Sequence, residues 1–261
     1  ASGRYGWPSR SWPSHERSRD MFERRVVSAT TNSLVMRVAV LLGLLVVSVS
    51  LHSLEAQEQA RANVLVVGFG VAAACNFLHG VLVHSGPVHM PPGSADMSLW
   101  LSSWARVAEA LTLGLTATRL SAPGPARAWL AAAGGVTLVL AGSALGPLPH
   151  WFAHAADGAL RQVVAVGLAL ALAASAVLLY RRSRSEEAPR ERLFAWAAGA
   201  FVCGEVTVGA LGGHSTLGGV LSHGFRVVAY ALLYQAVFDA GIRRPFARIQ
   251  EAESRLSESE G

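Results

Sequence analysis

Apolar residues gather in seven long runs, at about 34–53, 63–85, 97–119, 128–147, 161–180, 194–213 and 217–241, with short polar stretches between them. A helix needs roughly 20 mostly apolar residues to cross the hydrocarbon core of a bilayer, and these runs reach that length. The pattern predicts an all-α polytopic membrane bundle of seven transmembrane helices, with eight as the alternative count. The fifth run is the cleanest, carrying no charge over 163–180. The third is the least clean, because Arg106 and Glu109 interrupt it. Arg37 lies one turn into the first run, where a long side chain reaches the interface.

Composition agrees with this pattern. The chain is 52% hydrophobic and 15% charged, with a mean hydropathy of +0.37, whereas soluble domains carry about 25% charged residues. The formal charge of +5 comes from arginine alone, since there is no lysine. A retinal Schiff base needs a lysine amine, so retinal is excluded as a cofactor even though the helix count matches a rhodopsin. The arginines concentrate in the termini and short connections, which does not suggest nucleic-acid binding. Cys75 and Cys203 both fall inside apolar runs and read as packed small residues, not a disulfide or metal site. No signal peptide with a small-residue cleavage site opens the sequence. The chain has no GxSxG, P-loop, dinucleotide fingerprint or CxxC. The neighbours Ser222 and His223 alone give little weight to a hydrolase.

Arginine in short connections sets orientation. Arg181, Arg182, Arg184, Arg190 and Arg192 crowd the 181–193 connection, Arg243, Arg244, Arg248 and Arg255 the tail, Arg119 and Arg127 flank 120–127, and Arg61 lies in 54–62. Connections 86–96, 148–160 and 214–216 hold none. The C-terminus is therefore predicted inside and, with seven spans, the N-terminus outside. The arginines at 4, 10, 17, 19, 24 and 25 argue the other way for the N-terminal segment. Three parts follow: a flexible Arg/Ser/Pro-rich segment at 1–33, a membrane domain at 34–242, and a charged, helix-favouring tail at 243–261. The sparse apolar stripe Phe246, Ile249 and Leu256 suits either a solvated tail or the start of a signalling helix.

Charge in the bilayer interior is costly and by default marks a functional site or a structural network. At about 1.5 Å per residue, His79, Arg106, Glu109, Glu205, His223 and Arg226 fall in one slab, roughly 9–18 Å below the outer helix ends. Arg106–Glu109 and His223–Arg226 are spaced i, i+3, so each pair shares a helix face. Histidines also favour the outer side: His84, His89, His150, His154 and His214 lie in or beside outer connections, above His79 and His223. The carboxylates and arginines read either as an ion-pair network fixing helix packing or as the lining of a ligand-responsive pocket. His79 and His223 read either as partners of Glu or Arg within the bundle or as ligands of haem, copper or zinc. The outer His and Met residues fit solvated positions or a copper-type site. Trp100, Trp104, Trp129, Trp151 and Trp196 read as interface or lipid-facing anchors.

The ordered motifs resemble the third type of the MASE class, bacterial membrane-associated sensor domains. Asn76 to His79 reads NFLH; the third run opens LWLSSWARVAEAL, with Leu99, Trp100, Ala105, Arg106, Glu109 and Ala110 at the matching positions. Glu205 occupies the acidic position of the penultimate span. The last span matches best, at His223, Arg226, Ala229, Tyr230, Tyr234 and the exit Arg244, Pro245 and Phe246. His52 and Glu55 match a further His–Glu element. The likeness covers most of 34–250 and departs after His79, where VHSGPVHM replaces a Tyr-Lys-Gly-Met element. It implies a sensor in the bacterial inner membrane that detects a small ligand, metal or haem-linked signal from outside. Arg106, Glu109, Glu205, Arg226 and Tyr230 would form its buried polar network. Such sensors are input modules of histidine kinases (two-component systems) and diguanylate cyclases (cyclic di-GMP signalling). The output domain is expected beyond the tail, with a homodimer as the working assembly and no catalysis in the sensor itself. A haem- or copper-binding redox protein is the alternative, and a transporter using Glu109 and Glu205 a third reading.

Overall fold

A computed structural model describes residues 34–50, 56–84, 94–118, 135, 159–185, 189–211 and 216–260. All the elements described are helical: α1 (Leu34–Ser50), α2 (Ala56–His84), α3 (Ser94–Thr118), α4 (Ala159–Ser185), α5 (Pro189–Leu211) and α6 (Thr216–Phe238), then a π turn (Asp239–Arg243) leading into α7 (Arg244–Glu260). Four stretches are long and apolar enough to cross a membrane, Arg61–Leu82, Gln162–Arg184, Pro189–Ala210 and Leu217–Arg243. With α1 and the polar-interrupted α3 packed among them, the fold is an all-α membrane bundle.

Helix directions follow from contacts. Met36 lies over Gly80 while Gly43 lies near Ala73, so α1 descends as α2 ascends. His79 near the end of α2 meets Ser98 near the start of α3. At the opposite end, Arg61 of α2 pairs with Glu191 at the start of α5, and only residues 186–188 separate α5 from α4. Thus α1, α3, α4 and α6 run one way and α2 and α5 the other. The predicted span at 128–147 falls between α3 and α4 in the sequence. That span lies outside the described residues apart from Gly135, which is helical and approaches Val71 of α2.

The boundaries read from hydropathy need correction. Residues 56–62 belong to α2, and all but 186–188 of the 181–193 connection continues α4 and α5. Polar ends of spanning helices carry the same residue types as loops, so hydropathy ends each span too early. Arg61 and Arg190 consequently sit on helices, with their guanidinium carbons 5.6 Å and 5.5 Å from the Phe194 ring centroid. Of the cysteines, Cys75 is buried as expected, but Cys203 is exposed. Trp196 points outward, whereas Trp100 and Trp104 stack edge-on against each other; Trp129 and Trp151 lie outside the described residues.

Acyl chains are as apolar as leucine, so helices in a bilayer associate through close packing and polar contacts. Tyr230 of α6 is the centre of that packing. Phe69 of α2 and Phe201 of α5 meet its ring edge-on, each with centroids 5.6 Å away. A methyl group added to Gly43 of α1 would sit 3.5 Å from the same ring. Nearby, α2 approaches α3 so closely at Gly68 that any β-carbon there would overlap the Thr112 side chain. On α4, Val163, Val166 and Leu170 face outward and are more than half exposed, as a lipid-facing helix requires.

The last helix does not stop at its Arg-Pro exit. It runs without a break from Thr216 to Glu260, about 67 Å at 1.5 Å per residue. Proline lacks an N–H and crowds the carbonyl four residues back, here Gly241. The π turn Asp239–Arg243 immediately precedes it, and a widened turn is one of the few ways a helix accommodates such a break. Beyond it Phe246 and Ile249 remain exposed.

Candidate functional site

Four charged side chains from three helices, three of them buried, meet in the middle of the bundle. Arg226 of α6 donates from Nη2 to Glu205 Oε1 of α5 at 3.0 Å, and from Nη1 to Glu109 Oε1 of α3 at 3.5 Å. Arg106 of α3 donates from Nη1 to the other Glu205 oxygen, Oε2, at 3.2 Å. The Tyr230 hydroxyl donates to Glu109 Oε1 at 2.7 Å. Glu205 is therefore shared between two arginines, and Glu109 between an arginine and a tyrosine.

The local sequence makes this geometry available. Glu109 lies three residues after Arg106, and Tyr230 four after Arg226, so each pair occupies one helix face. The bonds nevertheless cross between helices: Arg106 pairs with Glu205, not with Glu109 on its own helix. With two arginines and two glutamates the network balances its formal charge. Arg226, Glu109, Glu205 and Tyr230 are almost fully buried, whereas the Arg106 side chain keeps 22% of its surface. That balance is what lets four ionisable groups occupy a region where each alone would cost about 2.5–3.5 kcal/mol or more.

The histidines fall into three groups. His79 uses Nδ1 with Ser98, 2.8 Å from Oγ and 2.9 Å from the carbonyl oxygen. Ser98 is thus one partner of His79. His223 is half-buried and makes no hydrogen bond among the described residues, while lying within electrostatic reach of Arg226, His79 and Arg106. His84 is the last residue of α2, and His89, His150, His154 and His214 lie outside the described residues, as do His52 and Glu55. Among the described residues no three His, Cys, Asp or Glu side chains converge as a metal site would need. At the exit, Arg244 and Pro245 open α7 and Phe246 is exposed.

Four residues in these contacts do not stand out in the sequence. Ser98 was invisible because serine is common in spans. Asn76, buried on α2, approaches Tyr230 and was read only as part of NFLH. Arg61 and Glu191 join at 2.6 Å near the far end of the bundle; their charge had assigned them to connections.

No curated protein and no solved structure matches the chain. A family match does extend over residues 29–245, to MASE3, a membrane-associated sensor domain. It takes in every described span together with Arg106, Glu109, Glu205, Arg226 and Tyr230. The chain belongs to the membrane-associated sensor domain family MASE3 and is a multi-pass membrane module with a sensory role.

Proposed function

We propose that the chain is the input module of a signalling protein in the bacterial inner membrane. A small ligand arriving from the outer side alters the ion pairing around Glu205 and Arg226. Helix α6 carries that change through the π turn to α7 and on to a cytoplasmic kinase or cyclase domain. The observation that carries this reading is continuity: Arg226 and Tyr230, at the centre of the network, stand on the same unbroken helix as Phe246 and Ile249. The arginine-rich end of α4 and start of α5 lie at the end from which α7 leaves, and the positive-inside rule supports a cytoplasmic side for that end. A ligand shifts such an equilibrium only if it binds one arrangement better, and a shared carboxylate supplies two arrangements.

The test is Glu205→Gln in the full-length protein with its output domain. Coupling of this kind is typically worth about 1–3 kcal/mol, or roughly 5–150-fold, so basal output should change by at least about 5-fold at equal membrane abundance. Output within experimental scatter of the parent refutes the reading.

A further inference from the structure

We propose that Asp239–Arg243 is a two-state joint. Wound as the π turn it holds the Phe246–Ile249 face on the side of the bundle, and wound as α-helix it turns that face outwards. That the signal uses the two windings rests on the sensor reading above; that the segment has two windings does not.

The helix is held on one side of this joint and free on the other. Leu233, Ala236 and Val237 form a buried stripe of α6 at helical spacing, and Ala240 and Gly241 continue it into the π turn. Higher up, Tyr230 is clasped by Phe69 and Phe201. Beyond the turn, none of α2 to α5 packs substantially on α7 among the described residues. A change of winding is therefore resisted towards the bundle and appears in α7. Counting from Val237 at about 100° per residue, with one residue absorbed by the π turn, Ile249 points about 20° and Phe246 about 80° from the stripe. Winding as α-helix carries them to about 120° and 180°.

Opposing features bring the two windings close in stability. Pro245 works against α-helix, because its ring would crowd the Gly241 carbonyl and it has no N–H to donate. Two things work for it. Helices wind as α by default and π turns are rare. Asp239 and Arg243, acid first at i, i+4, are also favourable neighbours on a regular helix. In the π turn they stand 3.7 Å apart with the Arg243 side chain 77% exposed. Removing the proline should therefore release the α winding.

The test uses the purified chain in phospholipid nanodiscs, with Cys75→Ala and Cys203→Ala and pairs of nitroxide labels read by pulsed electron resonance. One label is placed at Arg181→Cys, exposed on α4, and the other at Glu251→Cys, Ala252→Cys or Glu253→Cys, exposed on α7. Excess unlabelled chain confines the reading to distances within one molecule. Side chains reach about 5–6 Å from a helix axis, so a turn of about 100° should shift at least one distance by about 4 Å or more. Pro245→Ala, which substitutes the best helix former, should produce that shift. The three α7 labels succeed one another by about 100°, so rotation cannot move all of them in the same sense. Deleting Arg243 from that variant brings Arg244 to the fourth place after Asp239, and should restore the parental distances to within about 2 Å. Unshifted distances, a shift of all three labels in one sense (a bend), or a shift that the deletion does not reverse overturns the inference. In the full-length protein Pro245→Ala should change output by about 5-fold or more, and the added deletion should restore it. Output that responds to Glu205→Gln but not to Pro245→Ala leaves the sensor reading standing and overturns the joint's part in it. Distances as expected, with output unmoved by Glu205→Gln, support the two windings and refute the sensor reading.

Discussion

Replacing Arg226 with Met removes the cation that two buried carboxylates share. Breaking a buried pair by deleting one partner typically costs about 3–5 kcal/mol, because the remaining charge stays buried without compensation. Here each carboxylate keeps one other partner. Glu205 retains Arg106 at 3.2 Å, and Glu109 retains the Tyr230 hydroxyl at 2.7 Å. The cost should therefore sit near the lower end, about 3 kcal/mol. The two pairings should differ. Arg226 approaches Glu205 to 3.0 Å, a well-formed hydrogen bond, but Glu109 only to 3.5 Å, at the limit for N–H···O. Double-mutant cycles pairing Arg226→Met with Glu205→Gln and with Glu109→Gln resolve this. Unfolding in detergent micelles by added SDS is the assay. The Glu205 cycle should show coupling of about 1–3 kcal/mol, and the Glu109 cycle less. Additivity within about 0.5 kcal/mol in both cycles, or the reverse order, refutes this account of the network.

Gly68→Ala should lower thermal stability in detergent by about 1–3 kcal/mol through overpacking, since its β-carbon would overlap Thr112. Gly70→Ala, two residues along the same helix with nothing within 4 Å of the new methyl, should be neutral or stabilising by up to about 1 kcal/mol. Arg61→Ala should cost about 1.5–3 kcal/mol by loss of a charged hydrogen bond, measured in the same unfolding assay, as it deletes both the Glu191 pair and the contact with Phe194. Reporter fusions before Leu34 and after Gln250 should fall on opposite sides of the membrane; the same side for both would refute the helix directions.

Much of the bundle could be read from the sequence because charge inside an apolar run is conspicuous. Arg106, Glu109, Glu205 and Arg226 were visible for that reason, and helical rise alone placed them at one depth. Their pairing was not visible. Spacing puts Arg106 and Glu109 on one face, but it cannot reveal that a glutamate 99 residues away is the closer partner for Arg106. Polar residues that cost little in a membrane, such as Ser98, leave no trace in hydropathy. The same holds for Arg61 and Glu191: near a helix end a charge resembles a loop residue, and only the fold reveals that two such ends meet. Gly68 shows a third limit, because a close helix approach depends on what faces the glycine, here Thr112.

The π turn before Pro245 fixes an angular phase. A π turn contains one residue more than the α turn it replaces, and one residue is worth about 100° of rotation and 1.5 Å of advance. The direction in which Phe246 and Ile249 point is therefore set by five residues, Asp239 to Arg243, and not by the span alone. Winding the same five residues as ordinary α-helix, with none deleted, would turn the Phe246–Ile249 face by about 100°, whereas deleting one of them would leave it nearly in place. The spanning part of the helix would keep its register against Tyr230 and Glu205. The position of Arg226 in the membrane and the azimuth of the chain leaving it are thus separately adjustable quantities in this protein.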